Sequence, residues 1–168
     1  MKTMVVYESV FGNTEKIARA IGKSFSSEGK SNVYHVDQVT PDQLNDLDLL
    51  IVGTPTQKFQ AMPAAKSFIA KMPSGNLNGI KVAAFDTRIS TGDIKSGFLR
   101  YLVNLFGYAA EPLARKLKRK GGELIADPEG FIVNGTKGPL KEGEMERAEK
   151  WGEQLKKLTT ENKEQAAI

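Results

Sequence analysis

Three short runs constrain this chain more than any other feature: Met4-Val5-Val6-Tyr7, Leu47-Asp48-Leu49-Leu50-Ile51-Val52-Gly53 and Lys81-Val82-Ala83-Ala84-Phe85. The longest of them is nearly continuous in apolar residues, and a strand of that kind must be covered on both faces. Patterns of helical period lie between the runs. Glu15 to about Ser27 places Ile17, Ala18, Ile21 and Phe25 on one face, and Pro63 to about Lys71 offers Phe68 and Ile69 to a core. Strands alternating with such helices imply a parallel sheet with helices on both sides, because crossovers between parallel strands are right-handed.

The remaining segments complete the alternation. Asn32 to Asp37 reads as a short second strand, followed by a turn at Pro41-Asp42-Gln43-Leu44. Two helical patterns, Ser96 to Phe106 and about Ala109 to Lys120, precede Glu123-Leu124-Ile125-Ala126 and Gly130-Phe131-Ile132-Val133, which read as a fifth strand interrupted by Asp127-Pro128-Glu129. A last helix ends near Leu158 and carries Met145, Ala148, Trp151 and Leu155 on one stripe, with Trp151 expected in the core. Five strands predict an α/β fold of sheet order 2-1-3-4-5. Residues 1–158 are expected to form one domain, and 159–168 a polar tail that frays.

Composition narrows the class of protein. With no Cys, disulfides and thiolate metal sites are excluded. No apolar run approaches the ~20 residues of a membrane-spanning helix, and Met1-Lys2-Thr3 leads into a strand rather than a signal peptide, so a cytoplasmic location is expected. The net charge of +4 is concentrated at Arg115-Lys116-Leu117-Lys118-Arg119-Lys120. We read this run as a solvated helix end and expect no nucleic-acid partner, because cations favour a helix C-terminus and no aromatic residues interleave for base stacking. His35, the single His, reads as a surface or structural residue.

Chemistry is expected at the strand ends. In open parallel sheets ligands bind beyond the carboxyl ends of the strands, where the strand order reverses. Residues 9–14, Ser-Val-Phe-Gly-Asn-Thr, link the first strand to a helix, and the N–H groups at a helix start are free to hold an anion. An ordinary capped turn is the other reading of this loop taken alone. It has one Gly and no Lys, so it matches neither the nucleoside triphosphate loop nor the dinucleotide fingerprint, and a terminal monophosphate fits better. Thr54-Pro55-Thr56-Gln57-Lys58-Phe59-Gln60 and Asp86-Thr87-Arg88-Ile89-Ser90-Thr91-Gly92-Asp93 are polar loops expected at the same edge.

Ser9-x-x-Gly12-Asn13-Thr14 after the first strand, answered by Gly53-Thr54-Pro55-Thr56 after the third, resembles the flavodoxin family of FMN proteins. The resemblance covers most of residues 2–158 and implies a flavodoxin-like fold with FMN as cofactor. It implies that Ser9, Val10, Phe11, Gly12, Asn13 and Thr14 surround the phosphate. The isoalloxazine ring would then lie against Thr54, Pro55, Thr56, Gln57, Lys58 and Phe59, and against Asp86, Thr87 and Arg88. Phe11 departs from the Thr or Ser usual in short flavodoxins and is more similar to the flavodoxin modules of flavodiiron proteins. The basic net charge departs from the acidity of typical electron-transfer flavodoxins.

The leading expectation is a one-flavin electron carrier with a redox partner protein of unknown identity and no membrane insertion. The alternative is an FMN-dependent oxidoreductase of the NAD(P)H:quinone kind, although no second nucleotide fingerprint is present. A phosphoacceptor signalling domain of the same topology expects Asp at the end of the third strand, where this chain has Gly53-Thr54. Arg88 is expected to face the ring and stabilise the reduced anion, the other reading being a salt bridge to Asp86 or a solvated position.

Overall fold

The computed structural model describes residues 1–26, 31–57, 60–90, 97 and 108–165. Lys58, Phe59, residues 91–93 and the helix expected over 96–106 lie outside the described residues or almost wholly so. Seven strands form the sheet: β1 (Thr3–Tyr7), β2 (Ser31–His35), β3 (Leu49–Gln57), β4 (Gln60–Ala61), β5 (Lys81–Ile89), β6 (Glu123–Leu124) and β7 (Glu129–Val133). Among the described residues four α-helices accompany them: α1 (Asn13–Lys23), α2 (Pro63–Lys71), α3 (Ala110–Arg119) and α4 (Glu144–Gln165).

The main path runs β2-β1-β3-β5-β6, all parallel, with β7 also parallel to β5. This is the expected order 2-1-3-4-5, and the flavodoxin-like fold is the one observed. The count rises from five to seven for two local reasons. First, β3 continues four residues past Gly53 and folds back into β4, which pairs antiparallel through Thr56 with Ala61. Second, the fifth strand is broken. Between the pairs Val82–Leu124 and Phe85–Glu129, β5 advances three residues while the fifth strand advances five, and Pro128 offers no N–H to the ladder.

Side-chain alternation sorts the apolar runs into two cores. Val5, Ile51, Ala83 and Phe85 face α1 and α4, where Phe85, Phe131 and Trp151 meet edge to face with ring centroids 5.9 to 6.2 Å apart. Met4, Val6, Leu50, Val52, Val82 and Ala84 face α2 and α3, meeting Phe68, Ile69, Leu113 and Leu117. Both faces are therefore covered, as the near-continuous apolar runs require. Gly53 belongs to this packing. It pairs in register with Phe85, and a Cβ on Gly53 would lie 2.0 Å from the Phe85 ring.

Several expectations change. Strand β3 takes in Thr54 to Gln57, and β5 takes in Asp86 to Ile89, so both stretches are strand rather than loop. The last helix continues beyond Leu158 to Gln165. Thr159 is fully buried, and its carbonyl accepts from the ammonium of buried Lys81 at 2.8 Å. Met145 is 36% exposed rather than packed, whereas Trp151 is buried. The basic run does end a helix: Lys116, Lys118 and Arg119 occupy the last turn of α3, and Lys120 donates to the carbonyls of Ala70 and Met72. His35 stacks edge-on against Tyr7 and pairs with Asp37 at 3.2 Å.

Candidate functional site

A cleft of about 410 Å³ opens at the carboxyl edge of the sheet. It gathers Ser9, Val10, Phe11, Asn13 and Thr14 from the first loop, Pro55, Thr56 and Gln57 from the end of β3, and Thr87 and Arg88 from the end of β5. Ile89, Val133, Gly135 and Thr136 complete it. Of the remaining residues expected at the site, Gly12 shapes the first loop, while Thr54 and Asp86 are fully buried behind the cleft wall.

The first loop is built around Gly12, whose φ of 81° is left-handed and is strained for any residue with a Cβ. Its carbonyl accepts from Lys16 N–H at 3.1 Å, which starts α1. Among the described residues the backbone N–H groups of Val10, Phe11, Gly12, Asn13 and Thr14 have no acceptor. Ser9 Oγ accepts weakly from Glu15 N–H at 3.4 Å and keeps its own proton to donate. Val10 and Phe11 are 47% and 44% exposed and stand at the rim of the cleft that they help to line.

Thr14 and Thr87 join the first loop to β5. Their hydroxyls lie 2.8 Å apart and both residues are buried. One O–H serves that bond, and the second proton has no acceptor between the two oxygens, so the pair presents one donor to whatever fills the cleft. The side chain of Asn13 turns away, its Nδ2 donating to the Lys137 carbonyl at 3.0 Å. Its backbone N–H has no acceptor among the described residues and remains for an anion.

Beneath the cleft the polar groups satisfy one another. Thr54 Oγ1 accepts from Met62 N–H at 3.1 Å and so holds the turn that leads into α2. Glu8, also buried, accepts from Ala65 N–H at 2.7 Å at the start of α2. Asp86 accepts from Thr56 Oγ1 at 3.0 Å, from Ala110 N–H at 2.8 Å, and from Arg88 Nε and Nη2 at 2.5 and 2.9 Å. Burial pushes the Asp86 carboxyl up, while Arg88, Ala110 and Thr56 pull it the other way. Arg88 also lies over the Tyr108 ring at 3.8 Å, and a Cβ on Gly130 would lie 2.3 Å from its Cζ. Asp86 and Arg88 thus compensate each other, the salt bridge that was the alternative to an Arg88 acting on the ring alone.

An FMN phosphate is held by unpartnered N–H donors at a helix start, a loop glycine and hydroxyls, and all three are present. The residues fit the group. A model of the flavodoxin family matches residues 5–151. The chain belongs to the flavodoxin family. Flavodoxins bind FMN and pass electrons to redox partners, and this chain is an FMN-binding, electron-transfer protein of that kind.

A flavodoxin of Clostridium saccharobutylicum is 27% identical over 158 residues, which is 92% of this chain and 95% of the relative. An uncharacterized protein of Methanocaldococcus jannaschii is 23% identical over 163 residues; there the chain spans only 36% of the relative's length. Among solved structures, oxidised flavodoxin 2 from Bacillus cereus superposes with a TM-score of 0.73 at 21% identity, covering 96% of this flavodoxin and 99% of that chain. The flavodiiron protein from Giardia intestinalis superposes with a TM-score of 0.69 at 16% identity, over 95% of this chain and 36% of that one. Among the described residues, no helix is long and apolar enough to cross a membrane.

Sequence reasoning missed Val133, Gly135 and Thr136, whereas Ile89 belongs to the 86–93 stretch expected at this edge. The topology held the signal: the loop after the fifth strand must reach the same sheet edge as the other three.

Proposed function

We propose that the cleft holds FMN with its phosphate on residues 9–14 and its ring toward Pro55–Gln57 and Thr87–Arg88, and that the chain works as a one-flavin electron carrier. The observation that carries this reading is the set of backbone N–H groups from Val10 to Thr14 at the start of α1, with no acceptor among the described residues. These donors and the Thr14–Thr87 hydroxyl pair bind and orient the phosphate. When bound, FMN supplies the electron-transfer chemistry, and the protein contributes position, burial and tuning.

A protein redox partner and a cytoplasmic setting belong to this reading. The exposed Val10 and Phe11 at the cleft rim leave one edge of the site accessible to such a partner. No nicotinamide site is legible in the sequence, which favours the carrier over the NAD(P)H:quinone alternative.

Titration of the purified protein with FMN and with riboflavin tests the assignment. FMN is expected to bind far more tightly, because riboflavin lacks the phosphate; equal affinities would refute the role given to residues 9–14. Steady turnover of NADPH with a quinone above roughly 10 per second, the median enzyme rate, would refute the carrier reading.

A further inference from the structure

The loop that follows β7 forms a wall of the cleft that no sequence motif announces. Asn134 N–H donates to the Pro139 carbonyl at 2.8 Å, Gly138 N–H donates to the Gly135 carbonyl at 3.2 Å, and Val133 bridges Leu140. These bonds make a closed turn whose shape does not depend on a ligand. Val133, Gly135 and Thr136 line the same cleft as the first loop.

Asn13 fastens this turn to the first loop. Its Nδ2 donates to the Lys137 carbonyl at 3.0 Å, and Asn13 is 8% exposed. The approach is close because residue 138 is glycine: a Cβ there would lie 2.4 Å from Asn13 Nδ2. Thr136 is exposed, and its hydroxyl has no partner among the described residues.

Asn13 is the first residue of α1, within the run 10–14 whose N–H groups have no acceptor among the described residues. Lys137 touches it, and Thr136 stands one residue away, about 3.8 Å from Cα to Cα. The geometry points to Thr136 as a further binding residue at the phosphate end of the cleft, held there by Asn13 as its positioning residue. The Thr136 hydroxyl donates to the anion, while the Asn13 amide acts through the protein rather than on the ligand. This inference rests on the FMN reading of the cleft.

Quenching of flavin fluorescence on binding to the full chain tests it, with FMN and riboflavin as separate probes. Thr136→Val is expected to weaken FMN about tenfold, the loss of one hydrogen bond to a charged group, and to leave riboflavin within about twofold. Asn13→Ala is expected to weaken FMN at least as much. Adding Thr136→Val to Asn13→Ala should then cost nothing further, since the hydroxyl has already lost its placement. A merely structural Asn13 would give additive losses, which would overturn the positioning role. Unchanged FMN affinity in Thr136→Val, or an equal loss for FMN and riboflavin, would overturn the binding role. Wild-type protein that binds neither flavin would instead refute the reading of the cleft. Thr136 is exposed, so the melting temperature of Thr136→Val should match the wild type.

Discussion

Arg88 grips both carboxylate oxygens of Asp86, from Nε at 2.5 Å and from Nη2 at 2.9 Å, with Asp86 fully buried and the Arg88 side chain 13% exposed. The two charges at the end of β5 are therefore spent largely on each other. A lone cation ~6 Å from the flavin at an effective dielectric of ~20 contributes roughly 2–3 kcal/mol, on the order of 100 mV for one electron. A compensated pair contributes a small fraction of that.

Asp86→Asn removes one half of the compensation and keeps an acceptor for Ala110 N–H. The freed Arg88 charge favours the reduced, more negative flavin, so the reduction potential is expected to rise by tens of millivolts. Spectroelectrochemical titration of wild type and variant measures this, and a fall would show that Arg88 does not act on the ring.

Arg88→Ala leaves Asp86 buried without its cation, and the loss of a buried pair's partner costs about 3–5 kcal/mol. The carboxyl, already pushed up by burial, rises further in the folded variant. A folded-state value above the unfolded one means that the folded variant binds more protons, so its stability falls as pH rises from the unfolded value toward the folded one. Urea melts of the variant are expected to show a smaller deficit near pH 4 than at pH 7. A deficit independent of pH would show that Asp86 is not the group left stranded.

Gly53→Ala is expected to destabilise the protein by about 1–3 kcal/mol, because its Cβ would meet the Phe85 ring at 2.0 Å in a close-packed core. Phe85 contacts Phe131 and Trp151, so near-ultraviolet circular dichroism should change along with the melting temperature.

Truncation after Leu158 removes the Thr159 carbonyl that the buried Lys81 ammonium donates to. Stranding that charge is expected to cost about 1–3 kcal/mol or more in denaturant melts. A truncated chain as stable as the full one would restore the domain boundary at 158 that the polar sequence suggests.

The order of the strands, the coverage of both sheet faces and the helix that follows Gly12 were legible in local pattern. Apolar runs at Leu49–Val52 and Val82–Phe85 cannot sit at a surface, and Gly12 followed by a helix leaves donors whatever packs around them. Boundaries were less legible. Thr54–Gln57 and Asp86–Ile89 carry polar residues, yet they extend as strands because Thr54 pairs with Asp86, Pro55 with Thr87, and Phe85 to Ile89 with β7. The polar end of α4 persists for a similar reason, since Lys81, distant in sequence, supplies it with a partner.

By itself the sequence determined the fold class, because hydrophobic period is a local property, and it marked residues 9–14 as a candidate anion loop. Only the tertiary structure decided which polar groups are left for a ligand. Asn13, Thr56, Asp86 and Arg88 look alike as candidates in one dimension. Hydrogen bonds reaching across 124 residues from Asn13 to Lys137, and across 30 from Thr56 to Asp86, commit their side chains to the protein. Such pairings depend on strand register and close approach, at Gly130 and Gly138 above all, and no local pattern encodes which distant residues will meet.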